Sequence, residues 1–151
     1  DVKSLEVKTS QNLLQLALLE NNEWQINSDK NRKAENTKVA SFINEILALK
    51  AYEKIDKENL ALQDYGLSTS KQTLTLKTAD KTIAITIGNK TPTGSYYYVT
   101  IDNPKIVYTT DSSLATLLEK KSTELEWIPP TSTPIPSPSP VAAEASPTNP
   151  A

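Results

Sequence analysis

The chain has 151 residues, with 16 Lys and Arg against 18 Asp and Glu, and it contains no Cys, His or Met. Without Cys there is no disulfide framework, thiol nucleophile or structural zinc site, and without His the commonest general base and transition-metal ligand are gone. All the basic residues but Arg32 are Lys, and they are dispersed, which argues against the clustered basic face of a nucleic-acid binder.

Eight of the ten prolines stand at or after Pro129. The composition divides the chain into a folded domain, residues 1–128, and a Pro/Ser/Thr-rich tail, 129–151, expected to be extended and disordered. No apolar run approaches the ~20 residues that span a bilayer. The longest apolar cluster, Leu13 to Leu19, is broken by Gln15. Position 1 is not Met, which reads as a processed or truncated start with a signal peptide or anchor expected upstream.

In chain order, Leu5 to Thr9 alternates apolar and polar as a half-buried strand does. Leu13 to Leu19 fits helix or strand by pattern. The turn signal at Glu20 to Glu23, followed by alternating Trp24-Gln25-Ile26, favours a hairpin. Residues 27–36 are polar and read as a loop. A helix is then expected with Asn36 or Thr37 near its N-cap. Its apolar stripe is Val39, Phe42, Ile43, Ile46 and Leu47, with Lys50 closing it.

Ala51 to Ile55 reads as a short strand or connector. Asp56 is expected to cap a short helix through Leu62, and Gly66 to serve as its left-handed C-terminal cap with Leu67 folding back. Thr73 to Lys77, Thr82 to Ile87 and Tyr96 to Ile101 alternate as antiparallel strands with one wet face. Asp80-Lys81 marks a hairpin tip. Gly88 and Gly94 bracket a hairpin loop containing Thr91-Pro92-Thr93. Asp102 to Lys105 is a turn and Ile106 to Tyr108 the returning strand. A last helix follows, capped by Asp111, Ser112 or Ser113, with Leu114, Leu117 and Leu118 on its apolar side. The sum is an α+β domain: an antiparallel sheet with two main helices packed on it, and the Pro/Ser tail.

Candidate chemistry is sparse. Ser70-Lys71 is adjacent, but at a strand start the two side chains point apart. Glu53, Asp56, Glu58 and Asp64 form an acidic run better explained by capping and solvation than by acid–base work. Gly88-Asn89-Lys90-Thr91 lacks the upstream glycine spacing of a phosphate loop. No catalytic residue, metal or cofactor is therefore expected. The alternation sets Tyr97, Val99 and Ile101 inward and leaves Tyr96 and Tyr98 outward, beside Thr91, Pro92, Thr93 and Gly94, with Tyr108 as a further exposed candidate. Aromatic side chains on an outer sheet face are typical anchors for a partner.

Trp24, the Val39 to Leu49 helix, Asp64-Tyr65-Gly66-Leu67 before a Thr-Leu-Thr-Leu strand, and Gly88 followed by Gly94-Ser95-Tyr96-Tyr97-Tyr98-Val99 occur in one order. This set resembles a bacterial domain family of unknown function, over residues 1 to about 125. The resemblance implies an extracytoplasmic domain behind a single transmembrane helix, with some members encoded beside gliding-motility-type ABC transporters. It supplies no catalytic residues. The family often has Pro shortly after Tyr-Gly-Leu and after the Trp strand; here Ser70 and a charged loop stand instead. The expected function is a non-enzymatic, membrane-tethered module binding a membrane or envelope protein, touching the membrane only through a segment absent from this chain. A small-ligand or glycan-binding module using the tyrosine face is the alternative.

Overall fold

The computed structural model describes residues 1–28 and 31–130. The Pro/Ser stretch from residue 131 onward lies outside the described residues. The order of elements is β1 (Val2–Lys8), β2 (Leu13–Leu18), β3 (Trp24–Ile26), β4 (Arg32–Lys33), α1 (Asn36–Leu47), β5 (Ala51–Ile55), a 3-10 turn (Leu62–Tyr65), β6 (Gln72–Thr78), β7 (Thr82–Lys90), β8 (Tyr96–Ile101), β9 (Val107–Asp111), α2 (Ser113–Leu118) and α3 (Ser122–Leu125).

The nine strands form one sheet in the order β4-β3-β2-β1-β6-β7-β8-β9-β5. Every pairing is antiparallel. Two meanders, β1 to β4 and β6 to β9, join along β1 and β6. The α1 segment carries the chain from the β4 edge to the β5 edge.

The register follows from the apolar alternation. Leu5 stands opposite Leu16 and Leu76, Val7 opposite Leu14 and Leu74, and Ile87 opposite Val99. Slipping any strand by one residue would turn that whole row to water. This row packs against Val39, Phe42, Ile43 and Ile46 of α1 and Leu114, Leu117 and Leu118 of α2 in one cluster. Each such side chain contributes about 1.5–3 kcal/mol on burial.

The antiparallel sheet and the α1 stripe agree with the sequence reading, but the molecule is more strongly β than two main helices would imply. α1 has 12 residues, whereas α2 has six and α3 four. After Leu118 the chain is polar until Leu125, so nothing remains for a longer helix to bury. Leu47, expected in the stripe, is 61% exposed, and the helix ends before Lys50. The N-cap is Glu35; the side chain of Asn36 turns away and its Oδ1 accepts the Trp24 N–H at 3.1 Å.

Three further expectations need correcting. Part of the polar loop before α1 is strand β4, paired to β3 through Gln25–Lys33 and Ile26–Arg32. Its outer side is closed by the Ala34–Glu126 bridge and by the Trp127 N–H donating to the Lys33 carbonyl at 3.0 Å. Asp56 caps no helix; it pairs with Lys54 at 3.3 Å. The single turn forms later, at Leu62–Tyr65, where the apolar residues gather, because an isolated turn is too costly to nucleate without packing. Gly66 does cap it, at φ 68°, with the Leu67 N–H reaching the Leu62 carbonyl at 3.0 Å. Finally, Gly88 is not at a loop but inside β7.

Candidate functional site

Period-2 alternation along β8 decides which tyrosines meet the core. Val99 pairs with Tyr108 and Tyr97 with Thr110, all on the helix-covered face, and Tyr97 packs against the core cluster; Tyr108, expected among the exposed tyrosines, packs there too because its register sets it opposite the inward Val99. Tyr96 and Tyr98, paired with Asp111 and Thr109, stand on the opposite face.

That face is partly roofed. The 3-10 turn lies over β7, where the Tyr65 carbonyl and the Leu67 side chain occupy the space that a side chain at Gly88 would need. Leu67 and Val107 are buried but belong to no part of the main core cluster. Tyr65 meets Tyr98 edge-on, with centroids 4.8 Å apart at 71°. Tyr52, from edge strand β5, leans on Tyr96 at 5.0 Å and 49°.

Between these pairs lies a hollow of about 400 Å³, lined by Tyr52, Glu53, Thr91, Thr93, Tyr96, Tyr98 and Thr109. The β7–β8 loop forms its rim. The Gly94 N–H donates to the Thr91 carbonyl at 2.8 Å, with Pro92 inside that turn, and Gly94 takes φ 74°. The Thr91 N–H bonds the Tyr96 carbonyl at 2.8 Å, and the Thr91 and Thr93 hydroxyls lie 3.0 Å apart. The structure thus brings Thr91, Thr93, Tyr96 and Tyr98 to one concavity, with Pro92 and Gly94 shaping the turn above it.

The Tyr52 hydroxyl donates to Asp111 Oδ2 at 3.4 Å. Reduced solvation first, and the Asp111 charge second, hold the Tyr52 phenol above its usual range. With its hydroxyl turned to Asp111, Tyr52 offers the hollow its ring face. The Thr109 hydroxyl is occupied, accepting the Glu53 N–H at 3.1 Å. This set suits an aromatic or aliphatic group with hydrogen-bonding edges.

Sequence reasoning missed Tyr52 and Thr109. Tyr52 is brought to Tyr96 only because β5 pairs with β9 at the far edge of the sheet. The one available signal was the strand-like pattern of Ala51 to Ile55.

Other candidates have structural roles. The Ser70 hydroxyl donates to the Ile87 carbonyl and accepts the Gln72 N–H at 3.1 Å, bracketing the start of β6. Gly88 to Lys90 are extended in β7 and cannot wrap a phosphate. Among the described residues, no three acidic side chains gather as a metal site requires. Another concavity, about 1010 Å³, lies between the Thr9 to Asn12 turn, the end of β7 and the α2–α3 segment. Its lining mixes amides and hydroxyls with the charges of Lys90, Glu119 and Lys121 and the side chains of Tyr97 and Leu118, without converging aromatic rings, and Asn12 Nδ2 spans part of it to the Lys120 carbonyl at 2.8 Å. The tyrosine hollow, although smaller, has the convergent aromatic geometry of a recognition site.

Neither a curated protein nor a solved structure matches the chain. A family model described as Domain of unknown function (DUF4340) matches residues 24–132, a span that takes in α1, the capped turn and every strand from β3 to β9. The chain belongs to this domain family of unknown function.

Proposed function

We propose that this domain is a non-enzymatic interaction module on the outer side of a bacterial membrane, accessory to a membrane transport or envelope complex. In this reading it is tethered through a segment outside this chain and seats a membrane or envelope protein in the tyrosine hollow. The observation that carries the proposal is the hollow itself: Tyr52, Tyr96 and Tyr98 converge beside the Thr91 to Gly94 rim. Rigid aromatic anchors in a concavity supply most of the energy of protein recognition. The lack of His and Cys in the sequence supports a binding rather than a catalytic role. The membrane and transporter setting rests on the sequence resemblance. Among the described residues no helix is long and apolar enough to cross a membrane.

A photo-crosslinking side chain at position 93 tests this in cells. The expected result is a discrete product with an envelope protein, reduced several-fold by Tyr96→Ala and by Tyr98→Ala. A product unchanged by both substitutions would overturn the reading. Glycan or small-ligand binding is the second reading, favoured by tyrosine rings flanked by hydroxyls. A thermal upshift with a sugar, abolished by Tyr98→Ala, would establish it instead.

A further inference from the structure

On the helix-covered face, opposite the tyrosine hollow, the core is open at one corner. A slot of about 170 Å³ runs between Leu47 and Leu49 at the end of α1 and Ile83 and Ile85 of the sheet. Its lining is apolar apart from Lys50 and Thr110. Leu47 is 61% exposed, while Ile46 beside it is 3% exposed and packed in the core. The helix therefore ends over the slot without sealing it.

Thr110 marks the slot chemically. It pairs with Tyr97 and so faces the helices, and it is 5% exposed. Its Oγ1 has no hydrogen-bond partner among the described residues. Its neighbour Thr109, buried on the other face, does have one, the Glu53 N–H. Buried side-chain hydroxyls are nearly always paired, and Val would fill the same volume without the unmet group. Lys50 adds a cation to the slot's lining, and its charge also bears on Asp111.

We infer that this slot binds a small amphiphile: an aliphatic body of about six carbons ending in a carboxylate. An apolar cavity of about 150 Å³ admits a six-carbon guest, so the slot accommodates that body. The carboxylate accepts a hydrogen bond from the Thr110 hydroxyl and is balanced by the Lys50 ammonium. The aliphatic chain covers Ile83, Ile85 and Leu49. A longer chain would leave along the exposed Leu47.

Hexanoate titrated into the full chain, followed by methyl chemical shifts, tests the assignment. Saturable shifts at Ile83, Ile85 and Leu49 are expected, with hexan-1-ol binding more weakly than hexanoate. Thr110→Val should weaken hexanoate about tenfold, the value of one hydrogen bond to a charged group. Thr110→Ser should restore it, and Lys50→Gln should weaken it several-fold. Glu20→Gln, in the exposed β2–β3 turn, should leave it unchanged. Absence of saturable binding, shifts that map elsewhere, or equal affinity in folded Thr110→Val would each overturn the inference.

Discussion

The backbone carbonyl of Tyr65 fills the space that a side chain at Gly88 would need. The 3-10 turn lies flat on β7 because β7 has no Cβ there. Gly88→Ala must displace backbone, and overpacking of that kind costs about 1–3 kcal/mol. Gly94 differs, since it has φ 74° but nothing within 4 Å of an added Cβ. Gly94→Ala should therefore cost only the left-handed penalty, about 1 kcal/mol. Urea denaturation compares the two. In addition, Gly88→Ala alone should shift the Tyr98 ring resonances, because only that change moves Tyr65.

The Tyr65–Tyr98 contact should couple energetically. Edge-to-face pairs contribute about 0.5–1.5 kcal/mol beyond area burial. A double-mutant cycle with Tyr65→Leu and Tyr98→Leu should give a coupling in that range, while Tyr65→Leu with Tyr52→Leu should give about zero. Equal coupling in both cycles would contradict the separate pairing of Tyr65 with Tyr98 and of Tyr52 with Tyr96.

Asn36 joins the start of α1 to the β3 turn. Its Oδ1 accepts the Trp24 N–H, and its Nδ2 donates to the Asn22 carbonyl at 3.1 Å. Asn36→Ala should destabilise the fold by about 1–2 kcal/mol and increase amide exchange at Trp24. Thr37→Ala, at an exposed neighbouring position, should change stability by less than about 0.5 kcal/mol. If Asn36 were instead the helix cap, exchange would rise at the first turn of α1 and not at Trp24.

The Ser113 hydroxyl, together with the Ser113 N–H at 2.9 Å, holds the Asp111 carboxyl below its usual range, against the opposing effect of partial burial. The native state therefore favours the carboxylate more than the unfolded chain does. The resulting stabilisation is complete above the unfolded value of about 4 and is lost as pH falls through the lower folded value. Solvent screening keeps it under about 1 kcal/mol. Wild type should exceed Asp111→Asn in stability at pH 7, and the gap should close as pH falls through the lowered folded value. A gap independent of pH would assign Asp111 a packing role instead.

Much of the architecture was legible because it depends on local periodicity. Leu74 and Leu76, Ile87 and Val99, and the Val39 to Ile46 stripe each announce which face is buried within a few residues. Gly66 announced a left-handed cap, although the turn it closes, Leu62–Tyr65, lies later than the Asp56 to Leu62 helix the sequence suggested. Strand β4 was hidden because two polar residues, Arg32 and Lys33, have no alternation to read; they are strand only because β3 and the Leu125 to Trp127 segment lie on either side of them.

By itself the sequence determined the faces of β6, β7 and β8, the outward direction of Tyr96 and Tyr98, and the exclusion of thiol and imidazole chemistry, since these follow from residue type and period-2 geometry. Only the tertiary structure decided that β5 would return to the far edge and bring Tyr52 onto Tyr96. It alone set the Tyr65 turn on the glycine of β7 and left the Thr110 hydroxyl without a partner among the described residues, beside an apolar slot. Those relationships join residues tens of positions apart, and they depend on strand order and close backbone approach, which no local pattern encodes.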